Sequence, residues 1–483
     1  MIRYGAIGYV LGQFLAALAA SMVIPLVYGL ALTRAGVGSL AAGAAITAAA
    51  AALLLILLRR PQQELSQREG LLLVVAVWLS AALFGCLPFY LSPHFSSFTD
   101  ACFEAASGFT TTGATVLADV EVLPEPLQFW RCFTHWLGGM GIVLLGVAIL
   151  PLVGHGGMQL YRAEFSGAKS ERLKPRITET AWALWRIYLA LTVVEFAALR
   201  WAGMNSFEAL CHTFSTLGTG GFSTRTASIA AFKSPLIEAI IILFMLLAGI
   251  SFIQHYRLWV ERRPASFLRD VEIRFYVLLV LLASAVVAIV LVADAGYTPA
   301  AALRSALFQV SSILTTTGFV TDDFELWHPL PQLILLALMF VGGCTASTAG
   351  GLKCSRILLL ARVVDREFKR MVEPRGVFAV RIGGQVATES TIQSLLNLVY
   401  LAFVVNFVSC LLLAAMGVDV LTAIAAVAAS MFNIGPGLGA VGPVEHYGTM
   451  PLLAKWVLAG CMIAGRLEFY TVLVLLNPAF WRK

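Results

Sequence analysis

Four short loops of this 483-residue chain carry the same threonine- and glycine-rich pattern. Aligned without gaps, the loops at 107–115, 215–224, 312–321 and 430–439 share a glycine column: Gly113, Gly221, Gly318 and Gly435. Two residues before each glycine stands a small polar residue: Thr111, Thr219, Thr316 and Asn433. The residue between the two columns is Thr112, Gly220, Thr317 or Ile434. Glycine adopts backbone angles closed to residues with a Cβ, which lets a carbonyl group point at a common axis. Rings of such carbonyls replace the water shell of an ion, so the pattern predicts a cation pore.

The second loop leaves its register open, because Gly218, Gly220 and Gly221 compete for the shared column. We choose Gly221, since Gly-Phe-Ser-Thr from that residue then matches Gly-Phe-Val-Thr from Gly318. In this alignment the cation is expected at the backbone carbonyls of the small polar column, Thr111, Thr219, Thr316 and Asn433.

The segments that precede the loops must position them. They cover 99–109, 206–217, 299–314 and 419–432. Each is too short to cross a bilayer and suits a half-helix that enters the membrane and turns back. The C-terminal end of such a helix carries partial negative charge, which favours a cation at the membrane centre. Irregular backbone at that depth is tolerated where it is buried in protein or lines water.

The composition identifies a membrane protein: 59% of the residues are hydrophobic, 12% are charged, and the mean hydropathy is +0.85. We expect an all-α polytopic fold with ten transmembrane spans. The predicted spans are 5–32, 37–58, 70–91, 129–153, 180–201, 236–259, 272–295, 332–362 (interrupted), 392–417 and 452–476.

The basic residues predict the orientation. Most of the 33 Lys and Arg residues fall on one side of these spans, in the segments around 3, 59–68, 162–176, 257–274, 353–381 and 482–483. The positive-inside rule then places both termini in the cytoplasm and the four loops outside. The same asymmetry explains the net charge of +6 without nucleic-acid binding.

The chain divides into a preface and four similar units. A two-helix preface covers 1–68, and pore repeats follow at 69–165, 175–262, 268–370 and 388–480. Each repeat reads as an outer helix, a half-helix, a loop and an inner helix, arranged as four units around one pore.

Two features of the inner helices suit a gate. Arg466 lies inside the last span, where a charge is expensive and should face a water-filled cavity or a partner. The alternatives are an ion pair with Glu468 or a side chain that snorkels to the membrane surface. The eighth span is interrupted at 341–353, where glycines unsettle a helix and hydroxyls can satisfy freed backbone groups; a packing seam of small residues is the alternative. The predicted gate residues are Gly342, Gly343, Thr345, Ser347, Thr348, Gly350, Gly351 and Arg466.

Other polar residues in the spans point to no second site. His135 is interpreted as a hydrogen-bonded structural residue, and Glu195 is the other conspicuous carboxylate within a span. A proton relay usually contains more such groups, often paired. The eight cysteines form no Cys-X-X-Cys or Cys/His cluster, which argues against zinc or a disulfide framework, and no nucleophile–base pairing indicates an enzyme.

Together, the four loops and several further motifs resemble the TrkH family of bacterial potassium-uptake proteins over essentially the whole chain. The further motifs are 161–176, the broken eighth span, 433–439, 464–468 and the final Pro-Ala-Phe-Trp-Arg. The two-helix preface matches TrkH better than its shorter relative KtrB. The resemblance implies a homodimer in the bacterial inner membrane, with one potassium-selective pore per subunit. It further implies that 342–351 is an intramembrane gating loop, that Arg466 helps to block the closed pore, and that a cytosolic nucleotide-binding subunit of TrkA type regulates opening.

Two alternatives remain open from the sequence. The same fold could conduct sodium, or both sodium and potassium, because the size and field strength of the filter decide this. A proton-coupled potassium symporter would instead need a membrane carboxylate, for which Glu195 and Glu468 are the candidates.

Overall fold

The computed structural model describes residues 2–58, 65–148, 177–383 and 385–482. The motif at 161–176, the end of the predicted span 129–153 and the predicted boundaries at 165 and 175 lie outside these residues.

The described chain is almost entirely helical. Its α-helices are α1 (Tyr4–Leu32), α2 (Val37–Leu57), α3 (Gln67–Gly85), α4 (Leu87–Tyr90), α5 (Phe98–Phe109), α6 (Glu125–Ala148), α7 (Ile177–Trp201), α8 (Ser206–Leu217), α9 (Pro235–Ala248), α10 (Phe252–Trp259), α11 (Pro264–Leu268), α12 (Val271–Ala293), α13 (Pro299–Leu314), α14 (Pro329–Met339), α15 (Cys354–Val372), α16 (Glu389–Ala415), α17 (Val420–Met431), α18 (Leu452–Arg466), α19 (Tyr470–Leu473) and α20 (Pro478–Trp481). Short 3₁₀ helices lie at Ser228–Phe232, Phe324–Leu326, Tyr447–Thr449 and Val474–Leu476. A small antiparallel hairpin joins β1 (Arg381–Ile382) to β2 (Gln385–Val386).

Six described helices are long and apolar enough to cross a membrane, or up to eight if each of two bent pairs counts as one span. The polytopic all-α class is therefore confirmed, whereas the count of ten spans stays a prediction. The interrupted eighth span corresponds to α14 and α15, with the loop between them.

Two spans that the sequence predicted as continuous are broken. The segment 236–259 divides into α9 and α10, which meet at 98°, and 452–476 divides at Leu467–Phe469 with a bend of 111°. Glycine weakens a helix, and Gly249 starts the first break. At the second break Glu468 and Phe469 have φ of 56° and 54°, a left-handed conformation that no α-helix continues.

The four half-helices α5, α8, α13 and α17 begin in the same way. A polar side chain at each N-cap accepts a hydrogen bond from a first-turn amide, and these side chains are Ser97, Asn205, Thr298 and Asp419. Such caps satisfy amides that have no partner within the helix. The residues of the last turns are buried at the centre of the molecule, whereas the outer helices expose large apolar side chains such as Leu278, Leu281 and Ile289 of α12. That distribution suits a lipid-facing perimeter around a polar centre.

Candidate cation filter and intramembrane loop

The four loops have one backbone conformation. The small polar residues have φ of 56° (Thr111), 53° (Thr219), 56° (Thr316) and 57° (Asn433), and the glycines have φ of 80° (Gly113), 78° (Gly221), 79° (Gly318) and 98° (Gly435). In the second loop Gly221 shares this conformation, and Gly218 and Gly220 do not.

Each half-helix ends in the same hydrogen bond. The amide that follows the left-handed residue donates to a carbonyl five residues earlier, at 2.8 Å in all four loops: Thr112 to Ser107, Gly220 to Ser215, Thr317 to Ser312, and Ile434 to Ala429. This is the bond of a Schellman cap, whose left-handed position glycine usually fills. Threonine is β-branched and strained there, so its use in three loops indicates that the position matters for more than ending a helix.

The loops close into a ring. A methyl group on any of the four glycines would overlap the carbonyl oxygen of the next loop: Gly113 faces Gly220, Gly221 faces Thr317, Gly318 faces Ile434, and Gly435 faces Thr112. Each of these carbonyls belongs to the residue just before the neighbouring glycine. The contacts therefore run from the first loop through the second and third to the fourth, and back to the first, so that the four loops surround one centre.

Three polar side chains at one shared position of the half-helices, which sequence reasoning missed, hydrogen-bond the segments that follow the shared glycines. Nine residues before each shared glycine stand Glu104, His212, Gln309 and Ala426. Glu104 accepts hydrogen bonds from the Thr115 hydroxyl (2.9 Å) and the Val116 amide (3.0 Å), and His212 bonds the Ser223 hydroxyl (2.9 Å). Gln309 lies within hydrogen-bonding distance of Thr321 and Asp322. The constant spacing was the signal that could have found this column.

A buried ion pair beside the first loop also contacts the second loop. The Arg131 guanidinium lies 2.6 Å from the Glu104 carboxylate, donates to the Ser223 carbonyl at 3.0 Å, and lies 3.5 Å from the centre of the Phe222 ring. His135 stacks on the same Phe222 ring, and the two ring centres are 4.1 Å apart. A side chain at Gly220 would overlap the His135 ring, which explains why this loop has glycine where two others have threonine.

Some carbonyls of the loops accept hydrogen bonds from side chains. The Tyr447 hydroxyl donates to the Gly435 carbonyl at 2.8 Å, and the Ser312 hydroxyl donates to the Phe319 carbonyl at 2.7 Å. These bonds direct the two carbonyls toward protein donors, so they are poor candidates for ion ligands.

Acidic groups line the loops beyond the glycines. Glu325 accepts a hydrogen bond from the Gly439 amide, and burial raises the pKa of this carboxyl group. Asp119 accepts a hydrogen bond from the Thr226 hydroxyl at 2.6 Å, which lowers the pKa of Asp119 and joins the first repeat to the second.

The interruption of the eighth span is an ordered loop, closed at its base. The Gly342 amide donates to the Leu352 carbonyl at 2.8 Å, and the Cys354 amide donates to the Gly343 carbonyl at 3.1 Å. Gly351, with φ of 68°, packs against Gly342 so closely that a methyl group would not fit.

Glu272, another residue that sequence reasoning missed, holds the same base. One of its carboxylate oxygens accepts from the Thr345 amide (2.7 Å), the Thr345 hydroxyl (3.1 Å) and the Ser355 amide (3.0 Å). The hydroxyl of Ser347 is buried and has no hydrogen-bond partner among the described residues.

The loop contacts the ring through Gly350. The Gly350 amide donates to the Thr316 hydroxyl at 2.6 Å, and a methyl group on Gly350 would approach the Phe432 carbonyl and Asn433. The 342–351 loop therefore lies against the third and fourth loops of the ring.

Arg466 ends α18 beside this loop and is 3% exposed. Its guanidinium donates to the Thr348 carbonyl at 2.9 Å and to the Gly138 carbonyl of α6 at 3.3 Å. No acidic side chain forms a salt bridge with Arg466 in the described part of the chain, and Glu468 instead pairs with Arg356 at 2.8 Å. The proposed Arg466–Glu468 ion pair is therefore wrong.

Glu195 is fully buried in α7, and neither of its carboxylate oxygens has a hydrogen-bond partner among the described residues. The Thr216 hydroxyl, in the last turn of the half-helix α8, is its polar neighbour, and among the described residues no ion pair joins Glu195 to the 342–351 loop.

Capped half-helices that enter between apolar spans and turn back through a ring of backbone carbonyls define a pore-loop membrane protein. The comparisons with known proteins identify the family. The family described as "TrkH: Cation transport protein" matches residues 39–483, so the chain belongs to the TrkH family.

The chain is 42% identical to the Trk system potassium uptake protein TrkH of Halomonas elongata, with 98% of each chain covered. It is 40% identical to the protein of the same name from Escherichia coli, with both chains covered in full. Among solved structures, the potassium transporter TrkH from Vibrio parahaemolyticus matches with a TM-score of 0.92 and 38% identity over the whole of both chains. These relatives are named as transporters, and the chain is a multi-pass membrane protein.

Proposed function

We propose that this chain conducts potassium ions into the cell across the bacterial inner membrane. The observation that carries the proposal is the closed ring of four loops, in which each glycine contacts the carbonyl of the next loop. The potassium-uptake names of full-length relatives at about 40% identity support potassium as the ion.

The ion would lose its water at the ring and bind backbone carbonyls instead. We assign its ligands to the carbonyls of Thr111, Thr219, Thr316 and Asn433, with Thr112, Gly220, Thr317, Ile434 and the four glycines completing the filter. Gly435 contributes its close contact with the next loop, because its carbonyl accepts from Tyr447. The C-terminal ends of four half-helices meet there, and their partial negative charge favours a cation. The membrane potential then drives the ion inward with about 2.3 kcal/mol per charge per 100 mV.

The loop at 342–351 and Arg466 would form the gate. The loop contacts Thr316 at the ring, and Arg466 holds the Thr348 carbonyl and a carbonyl of the first inner helix. A buried positive charge below the ring repels a cation, so conduction requires Arg466 and the loop to move together.

The assembly and orientation are further parts of the proposal. The name "Trk system" of the relatives implies more than one component. We propose a homodimer with both termini in the cytoplasm, the four repeats as assigned from the sequence, and a cytosolic nucleotide-binding subunit of TrkA type on the basic inner face, where the segments 257–274 and 353–381 lie.

One observation favours a second candidate, proton-coupled potassium symport. Glu195 is a buried carboxyl group in an apolar helix with no ion-pair partner among the described residues, and such a group is a candidate proton carrier. Glu468 is the weaker candidate because it pairs with Arg356.

Growth at limiting potassium tests the proposal. Cells that lack their own potassium-uptake systems should grow at low external potassium when they express this chain with its regulatory subunit, and sodium should not replace potassium. Rescue that is lost in Glu195→Gln but kept in Glu468→Gln would favour the symporter. No rescue despite normal membrane expression would contradict potassium uptake.

A further inference from the structure

The 342–351 loop is docked into the break between α9 and α10, in the second repeat. Three hydrogen bonds join them: the Cys344 amide donates to the Gly249 carbonyl (2.8 Å), the Phe252 amide donates to the Ala346 carbonyl (3.0 Å), and the Thr348 hydroxyl donates to the Ala248 carbonyl (3.2 Å). All three bonded groups of the second repeat lie at the break and have no helical partner. Within a bilayer such groups must be satisfied by protein or by water in a cavity.

A straight helix through the break would satisfy the same groups internally. In an α-helix each amide bonds the carbonyl four residues earlier, so Phe252 would donate to Ala248 and Ile253 would donate to Gly249. The Leu247 carbonyl, which the His255 ring now bonds at 2.9 Å, would accept from Ser251. Every carbonyl that the loop or His255 occupies in the bent form thus has a helical partner in the straight form.

We propose that this break is the second half of the gate: the 342–351 loop leaves the pore when α9 and α10 straighten into one helix. This inference rests on the proposed pore function and adds the element whose change of shape releases the loop. The Ala248 and Gly249 carbonyls and the Phe252 amide have partners in two arrangements, bent with the loop docked and straight with the loop free. An intermediate in which the loop is free while the helix is still bent leaves buried polar groups without hydrogen-bond partners, so it is disfavoured.

The straightening would carry movement to the cytoplasmic side. The Gln254 side chain of α10 donates to Asp270 at 2.6 Å, and Asp270 caps α12, whose Glu272 holds the base of the loop. A partner that pulls on the connector 257–274 would therefore act on the break and on the loop through one chain of hydrogen bonds.

Substitutions at Ser251 test the bend. Ser251 has φ of −53°, which proline adopts, and its amide donates no hydrogen bond to another described residue. Ser251→Pro should fit the bent form and disfavour the straight one, and so should lower the open probability by about a hundredfold. Ser251→Ala should raise it about twofold, because alanine favours a continuous helix. The control is Ser234→Ala, the same change at the other end of α9, which should leave gating unchanged.

A distance measurement tests the movement without relying on conduction. Spin labels on Leu243→Cys and Trp259→Cys, at exposed positions 53% and 44% accessible, would lie about 24 Å apart along a straight helix and closer together across the 98° bend. Thr348→Val removes one bond between the loop and the break and should enlarge the population at the longer distance.

The outcomes separate this inference from the function. A longer distance in Thr348→Val, absent in Ser251→Pro, is the expected result. An unchanged short distance in a variant whose pore is open would overturn the inference while leaving the pore function intact. Absence of potassium current in every variant would count against the pore function, and the label distances would still decide whether the break straightens. If Ser251→Pro does not yield monodisperse protein, Thr348→Val and Ser251→Ala give the same decision.

Discussion

The hydroxyl of Thr316 accepts a hydrogen bond from the backbone amide of Gly350 at 2.6 Å, which joins the ring of four loops to the 342–351 loop. Thr316 is one of three threonines held at positive φ in the same column. Of these, Thr219 donates its hydroxyl to the adjacent Gly218 carbonyl, and the Thr111 hydroxyl has no partner among the described residues. The third loop therefore differs from the first two in using this position to hold the 342–351 loop.

Removing that acceptor should loosen the gate. Thr316→Val keeps the shape of the side chain but leaves the Gly350 amide without its partner, at a cost of about 1–3 kcal/mol to the docked loop. We expect a higher open probability at unchanged unitary conductance, measured in planar bilayers. The matched control is Thr219→Val, which removes only a hydrogen bond to the neighbouring residue. Equal effects of the two substitutions would show that Thr316 does not hold the loop.

Alanine at Gly318 should abolish potassium selectivity. The added methyl group would overlap the Ile434 carbonyl of the next loop and push it out of the ring. Gly296→Ala, in the same repeat, is the control, because Gly296 has φ of 67° but open space around its Cα. It should cost about 1–2 kcal/mol of stability through backbone strain and leave selectivity intact. The permeability ratio of potassium to sodium is the readout, and a wild-type ratio in Gly318→Ala would refute the ring as the filter.

Arg466→Ala should raise the basal potassium flux about tenfold in proteoliposomes that lack any regulatory partner. The substitution removes two charge-assisted hydrogen bonds to backbone carbonyls and a buried positive charge below the ring. Arg186→Ala, which changes an exposed arginine of α7, should leave the flux unchanged. A flux that stays at the wild-type level in Arg466→Ala would mean that this charge does not close the pore.

The Glu104–Arg131 pair should be important for stability. Arg131→Ala leaves the Glu104 carboxylate buried without its counterion, a change that costs about 3–5 kcal/mol in comparable sites. We expect a large loss of thermal stability of the purified protein in detergent. Arg304→Ala breaks a pair in which the arginine is 44% exposed, and should cost less than about 1 kcal/mol. Similar melting temperatures for both variants would contradict this role of the buried pair.

The sequence predicted the half-helices closely because their signals are local. Four polar caps, short apolar segments and aligned glycines all lie within about twenty residues of one another, and α8 and α13 have the bounds predicted for them. The choice of Gly221 as the column glycine of the second loop also followed from a local sequence match.

Contacts between residues far apart in the sequence could not be read in this way. Glu272 and Thr345 are far apart in sequence, as are Arg466 and Gly138, so nothing in either neighbourhood predicts their bonds. The breaks after Ala248 and Arg466 were missed because both segments are mostly apolar and carry no local stop signal strong enough to predict a break. The first helix ends where the 342–351 loop bonds the freed backbone groups, and the second ends where Glu468 and Phe469 have positive φ.

The most direct test is the reversal potential of the purified protein in planar bilayers, under opposed gradients of potassium and sodium, repeated across a pH gradient. We expect a reversal potential that follows the potassium gradient and does not respond to pH, as a passive potassium-selective pore requires. A reversal potential that follows sodium as well, or that shifts with the pH gradient, would contradict this function; the pH-dependent shift would direct attention to Glu195.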